Sequence, residues 1–392
     1  MSKISKKYAC IYFFYHAITS VVYGFGVYTL TQRGFDYTSA GACLSFSGLI
    51  AFALQILLAS NKNKKIGTFE ISVVLSSLIF VFMLINTFIS KADTFLAIIF
   101  VIGTCFYIAL EAFINVIPGE FALVGTEVNY STPRAFGSLS YALFCFLFGK
   151  LSVKYSYLII LIFANIFAFM LTFFLVFIRK DYVKLDFNKA NEEEKNEEVG
   201  YDVFFRENKK FVVLVLFLTL IYFGYFSFDN FMLAVVEEIG GNSENLGSIL
   251  GFKAILETLS IFFLFPFLSK KIKLNNILKI SALSFVLKIF LQTIASNVLM
   301  LYVAQVMQIF SYALMYPGMV LYINNNLKKN ALTKGQVLYM STIIIATFFV
   351  GLVVGYITDN FGIKMAEYIA LVVSLIGFVG YYITMGVNEN GK

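Results

Sequence analysis

The chain has 392 residues, of which 59% are hydrophobic and only 14% charged, where a soluble domain carries about 45–50% and about 25%. So few charges cannot cover a water-facing surface of this size, which excludes a soluble globular protein, a disordered chain, a nucleic-acid binder and a secreted disulfide scaffold. The net charge of +7 is instead the kind of excess that cytoplasmic loops of membrane proteins carry.

A spanning helix needs roughly 20 apolar residues, so the composition accommodates about a dozen. Apolar runs between polar breaks predict twelve helices. The first six lie over 8–30, 40–59, 68–89, 94–117, 134–150 and 157–178, and the second six over 211–236, 248–268, 277–294, 298–323, 336–357 and 365–386. The first run, behind MSKISKK, is too long for a signal peptide and lacks a small-residue cleavage site, so it reads as the first span. Cys10, Cys43, Cys105 and Cys145 all fall inside apolar stretches and suggest neither disulfides nor metal binding.

With the N-terminus inside, cytoplasmic segments hold 22 Lys and Arg residues and the opposite side five, namely Arg33, Lys91, Lys150, Lys154 and Lys364. That bias predicts cytoplasmic termini in a multi-pass protein of a bacterial-type cytoplasmic membrane. The one long polar stretch, residues 179–210, carries eight basic and nine acidic residues, EEEKNEE among them, and reads as a solvated linker. It divides the chain into a six-helix bundle over 1–178 and another over 211–392. Two such halves around a linker suit a transporter with its site at the bilayer midplane.

Charges inside a membrane cost roughly 2.5–3.5 kcal/mol each at a helix centre, so they carry the most functional information. They are Glu111 in the fourth helix, Arg134 at the start of the fifth, Asp229 in the seventh, Lys253 and Glu257 in the eighth, and Lys288 in the ninth. A carboxylate held in a low-dielectric cavity loads and releases protons near neutral pH, and an approaching cation reverses the effect. Glu257 or Asp229 near Lys288 therefore forms a candidate proton-coupling unit. Arg134 offers a rigid fork of donors for hydroxyls or carboxylates. Gln305 and Gln308, at i and i+3 of the tenth helix, mark a face suited to a cavity. His16, the sole histidine, has no second ligand beside it and reads as a packing residue. No phosphate-binding loop and no protease or esterase motif is present, which disfavours an ATP-driven pump and an enzyme.

The stretch Arg134-Ala135-Phe136-Gly137-Ser138-Leu139-Ser140-Tyr141 resembles the R-x-[FW]-G-x-x-G-[FWY] signature of lactose-permease-like (oligosaccharide:proton symporter) members of the major facilitator superfamily. LGSILGFKAILETLSIFFLFPFLSKK resembles that group's eighth helix, QVMQIFSYALMYPGMVLYINNNLKKNALTKGQVLYMST its tenth and eleventh, and GYITDNFG its turn after the eleventh. The resemblance implies an all-α integral membrane protein of the major facilitator fold, with twelve helices in two six-helix bundles. It also implies that Glu111 and Arg134 hold sugar hydroxyls, with Glu120 in reserve, and that Tyr141 stacks on the sugar ring. Glu257 matches an acidic position of the permease's relatives, Lys288 stands where they carry arginine, and Asp229 resembles the helix 7 aspartate. The chain departs from the permease where its histidine and proton-carrying glutamate fall on Gln308 and Ser311, and where a lysine falls on Gln305. Lactose itself is therefore not implied, and proton coupling shifts to Glu257, Asp229 or Glu111.

The expectation is a secondary transporter that takes up a small polar solute, a sugar or nucleoside, together with protons by alternating access. Substrate would meet Glu111, Arg134, Tyr141, Asp229, Gln305 and Gln308, and Glu257, Lys288 and Asp229 would carry coupling. Its partners are the solute, protons and the bilayer, with no metal, cofactor or nucleic acid, and it would work as a monomer. The alternative is a proton-driven exporter of drugs or lipid-like solutes; a receptor that kept the fold is a third reading.

Overall fold

The computed structural model describes residues 3–59, 67–123, 126, 128, 131–183 and 200–386. Among these, the chain is helical almost throughout, with no strand. Twelve spanning helices follow one another: α1 (Lys3–Thr19 continuing to Thr31), α2 (Tyr37–Ala59), α3 (Thr68–Phe88), α4 (Thr94–Leu123), α5 (Ser131–Tyr155) and α6 (Leu158–Tyr182). The second six are α7 (Lys209–Asn230, then Met232–Glu238), α8 (Ser243–Ser269), α9 (Leu274–Thr293), α10 (Val298–Asn326), α11 (Leu332–Phe361) and α12 (Ile363–Gly386). Eleven are each long and apolar enough to cross a bilayer unaided. α1 is the twelfth; a π-turn over Ser20–Gly24 divides it into pieces of 17 and 6 residues.

Helices are what this composition dictates, because a backbone in hydrocarbon must satisfy its polar groups within the segment. The apolar surface points outward as well as inward. Leu57, Phe88, Phe263 and Leu299 are all more than two-thirds exposed, a surface only lipid can cover.

The helices run past the predicted ends. α4 extends to Leu123 through Pro118, and α11 reaches 30 residues, because hydropathy reports the hydrocarbon thickness while the helix continues through the interface. The segment MSKISKK is helical from Lys3 onward, and Lys7 pairs with Asp181 at 2.6 Å. The two ends of the expected linker are also helical, through Tyr182 and over Tyr201–Glu207. Residues 184–199 of that linker lie outside the described residues, as do Lys62, Lys64 and Lys65 of the loop between α2 and α3.

Two compact units account for the chain. The first holds residues 1–193 with 246–254, and the second holds 194–245 with 255–392. In the first, α1 packs on α5 and α6, α3 on α4 and α6, and α2 on α4. In the second, α7 packs on α11 and α12, and α9 on α10 and α12. The pairing scheme is shared. So is an irregularity: α1 breaks at Phe25 and α7 at Phe231, each twenty-two residues after its helix begins, and both rings are fully buried.

The second unit depends on a close approach of α7 and α12. A Cβ on Gly377 would stand 2.8–2.9 Å from Leu220 Cβ, the Ile221 nitrogen and the Phe217 oxygen. Two of these are backbone atoms of α7, so the helices would have to separate. Gly377→Ala is expected to cost about 1–3 kcal/mol through overpacking, read as a lower thermal unfolding midpoint of the purified protein. Gly48→Ala, where nothing lies within 4 Å, should leave the midpoint unchanged or raise it.

Candidate functional site

Each unit gathers its own set of polar side chains. In the first, α1 presents a stripe of hydroxyls, Tyr8, Tyr12, Tyr15 and Thr19, at the spacing of one helix face. The stripe runs along α4. Tyr8 donates to the Ile114 carbonyl at 3.1 Å, Tyr12 to Asn115 Oδ1, and Tyr15 to the Tyr107 carbonyl at 3.4 Å, while the Thr19 and Tyr107 hydroxyls meet at 2.5 Å. The Tyr15 and Tyr107 rings stack with centroids 4.7 Å apart. Tyr107, Glu111 and Asn115 are four residues apart on α4 and face this stripe.

Glu111 therefore sits among phenols. Its carboxylate is in hydrogen-bonding reach of Tyr15 and in electrostatic reach of Arg134, and it remains accessible although it lies in mid-helix. His16 lies between α1 and α5: its Nδ1 is 3.4 Å from Thr19 Oγ1, and its ring occupies the place a Cβ on Gly137 would take. It also feels the charge of Arg134. The sole histidine is thus a packing residue with a local hydrogen bond, yet it borders the arginine. Tyr141, two turns beyond Arg134 on α5, brings its hydroxyl beside Gly24 in the π-turn of α1. Glu120 is engaged elsewhere; it accepts from Thr68 at 2.8 Å and from Tyr182 at 2.9 Å. Of the two carboxylates, Glu111 is the one in electrostatic reach of Arg134.

In the second unit, Gln308 is the centre. Its Oε1 accepts from Lys288 Nζ at 2.6 Å, and its Nε2 donates to Glu257 Oε2 at 2.8 Å and to the Tyr225 hydroxyl at 3.1 Å. Lys288 is buried, and its ammonium sits 4.8 Å from the centroid of the Tyr225 ring, a cation–π contact. Tyr225 in turn stacks on Tyr312 at 5.6 Å. Asp229, one turn further along α7, is in electrostatic reach of Tyr225.

The backbone makes this cluster possible. α10 is interrupted by a 3₁₀ turn over Met307–Ile309 and restarts at Tyr312, and α8 carries a π-turn over Ser260–Leu264 just before Pro266. Such irregularities mark functional positions in helices. Carbonyls freed by the α10 break are satisfied by hydroxyls, Ser260 Oγ donating to the Ile309 oxygen at 2.5 Å and Ser281 Oγ to the Ser311 oxygen at 2.6 Å. Two residues that the sequence places on one face differ in their partners. Gln308 turns to Lys288 and Glu257, whereas Gln305 is buried with neither amide atom hydrogen-bonded.

Sequence reasoning missed Tyr15, Thr19, Tyr107, Tyr225 and Tyr312. The three- and four-residue spacing of hydroxyls along α1 is the signal that was available for Tyr15 and Thr19. Tyr225 and Tyr312 are two of 24 tyrosines, and nothing local distinguishes them.

Two six-helix bundles in one chain are an architecture of secondary transporters. The chain belongs to the MFS_1 like family, whose sequence profile matches residues 6–369. Solved structures agree in fold. The nucleoside transporter NupG, in the form of a point mutant, superposes with a TM-score of 0.80 at 15% identity over 98% of this chain and 99% of that one. A POT family transporter in complex with 5-aminolevulinic acid gives 0.73 at 13% identity, over 96% of this chain and 94% of its own. A bacterial homolog of the human lysosomal transporter Spinster, inward-facing and unoccupied, gives 0.72 at 12% identity over 98% of each chain. No curated protein is similar enough in sequence to count as a match.

The amide of Gln308 holds a buried ammonium and a carboxylate at once, so removing either end exposes the other. Lys288→Met and Gln308→Leu are each expected to lower the unfolding midpoint. The double variant should lose less than the two losses added, with a coupling of about 0.5–3 kcal/mol. Additive losses would mean that the 2.6 Å contact contributes nothing.

Proposed function

We propose that this transporter takes up a small polar solute with protons, a nucleoside in preference to a sugar. The observation that carries the reading is the Lys288–Gln308–Glu257 chain. Gln308 cannot reverse its amide without facing its NH₂ to the Lys288 ammonium, so it always presents a donor to Glu257. That donor favours the carboxylate form. A movement of α10 that withdraws Gln308 removes the donor and favours protonation, which ties the proton to the position of a broken helix. Asp229, near the Tyr225 end of the same cluster, is the second proton-coupling candidate.

The first unit supplies recognition. Arg134 and Glu111 together offer donors and acceptors to hydroxyls, and the phenols of Tyr15 and Tyr107 extend the set; Tyr141 provides a ring for stacking. A ribose attached to a planar base uses both kinds of contact, and NupG, a nucleoside transporter, shares the fold. Asp229 and Gln308 would meet the solute from the second unit; Gln305 would do so only after α10 turns it out of its buried position. Alternating access would proceed by rocking of the two bundles, with both termini cytoplasmic and one chain sufficient.

The test is the pH of a weakly buffered suspension of expressing cells as nucleosides and sugars are added in turn. One solute should alkalinise the medium, and Glu257→Gln should abolish that response. Arg134→Lys, which keeps the charge but loses the planar fork, should raise KM about tenfold. Silence across the panel, joined with loss of resistance to lipophilic toxins on deletion, would favour the exporter.

A further inference from the structure

Glu367, in the second turn of α12, takes no part in the hydrogen bonds at Gln308, yet its side chain is only 2% exposed. Its Oε2 accepts from Lys364 Nζ at 2.8 Å, whereas its Oε1 has no hydrogen-bond partner. The ammonium is shared. Lys364 also donates to the Thr293 and Ala295 carbonyls at 3.3 and 3.5 Å, where α9 ends. One lysine therefore ties the start of α12 to the end of α9, within the second unit. That end of α9 is otherwise under-bonded, since Gln292 is buried with its Nε2 unpartnered.

The charges around Glu367 do not favour its anion. α12 packs on α7, α9 and α11. Glu238, at the end of α7, is in electrostatic reach of Glu367, with Glu237 beside it, and Asp359 stands near the end of α11. Lys288 of α9 and Asp229 of α7 belong to the Gln308 cluster. An ionised Glu367 thus keeps charge on a buried oxygen that has no donor, and such a group is costly. A proton taken from water and added to Oε1 removes that charge. Lys364 keeps its own proton but loses the charge-assisted bond, which is about twice as strong as a neutral one. What it retains are the two long carbonyl contacts, and at 32% exposure it has access to water.

We propose that Glu367 is a proton-binding site at the membrane face opposite the N-terminus of α1, and that Lys364 is the latch it controls. With Glu367 ionised, Lys364 caps α9 and holds it to α12. With Glu367 protonated, the cap is released and the last turn of α9 frays. The same helix carries Lys288, so the latch acts on an element of the Gln308 cluster. It requires no solute and does not depend on the proposed transport reaction.

The test is amide hydrogen exchange of the purified protein at about pH 8 and about pH 5, each rate divided by its intrinsic chemical rate. The peptide to follow holds Ile294 and Ala295, whose N–H groups donate to the Phe290 and Gln292 carbonyls at 3.1 Å. Its protection should fall about tenfold at the lower pH, the order that a hydrogen bond to a charged group supplies. Glu367→Gln, which keeps the shape but cannot ionise, should show the low protection at both pH values, as should Lys364→Met. Glu257→Gln should keep the response, which separates this site from the proposed coupling carboxylate. Unchanged exchange in peptides of α4 would confirm that each variant is folded. Equal protection at the two pH values in the unsubstituted protein would overturn the proposal. So would a pH response that survives Glu367→Gln, full protection in Lys364→Met, or a response lost in Glu257→Gln.

Discussion

A backbone in hydrocarbon has nothing but itself and its own side chains to bond to, and the rest of this structure depends on that constraint. It forces twelve helices from the composition, and it makes every interruption of a helix expensive unless a side chain closes it. Ser260 and Ser281 close the break in α10 by donating to the carbonyls of Ile309 and Ser311. Arg33 closes the end of α3, and Lys364 does the same for α9 by donating to the Thr293 and Ala295 carbonyls at 3.3 and 3.5 Å. The polar residues of the chain are placed where backbone groups or charges need partners, so the breaks and the polar clusters coincide.

The amide at Gln308 shows how such a cluster can do more than hold the fold. A hydrophobic residue there would leave a buried ammonium without this partner, and a carboxylate would neutralise it outright. An amide does neither. It bonds to Lys288 through oxygen and to Glu257 through nitrogen, and it carries no proton of its own to exchange. That leaves Glu257 at the more accessible end of the chain, half-buried and one turn from the π-turn of α8. A shift of the broken α10 alters this contact, because Gln308 sits in the short 3₁₀ turn itself and bonds to side chains of three other helices.

The fold was legible in the sequence because hydropathy reads the one property the bilayer selects. Its errors are physical ones. Helix ends were placed at the limits of the apolar runs, while α4 and α11 continue through the polar interface where the helix still satisfies itself. The charged residues of the candidate site stood out in the sequence too, since Glu111, Arg134, Glu257 and Lys288 are costly in hydrocarbon. Their neutral partners did not. Tyrosine is so abundant here that Tyr107 and Tyr225 carry no local signal, and Gln305 and Gln308 look equivalent until their partners are known. No glycine or proline between Gln305 and Ser311 announces the break in α10.

The shared pairing of helices in the two units, with α1 and α7 breaking at equivalent buried phenylalanines, bears on how the chemistry could be divided. A common scaffold leaves the units free to differ only in the side chains that line it. In the first, α1 and α4 meet through hydroxyls and an amide, with a carboxylate and an arginine at the edge, which is a set of directional contacts suited to a ligand's hydroxyl groups. In the second, the helix paired in the same way, α10, is broken and carries the amide that bridges an ammonium and a carboxylate, a set suited to holding a proton and responding to movement. An uninterrupted α4 and an interrupted α10 are opposite solutions to the same position in the repeat. Under the proposed function, that difference would give a solute a fixed surface to recognise, and it would confine the part that changes with protonation to the other unit.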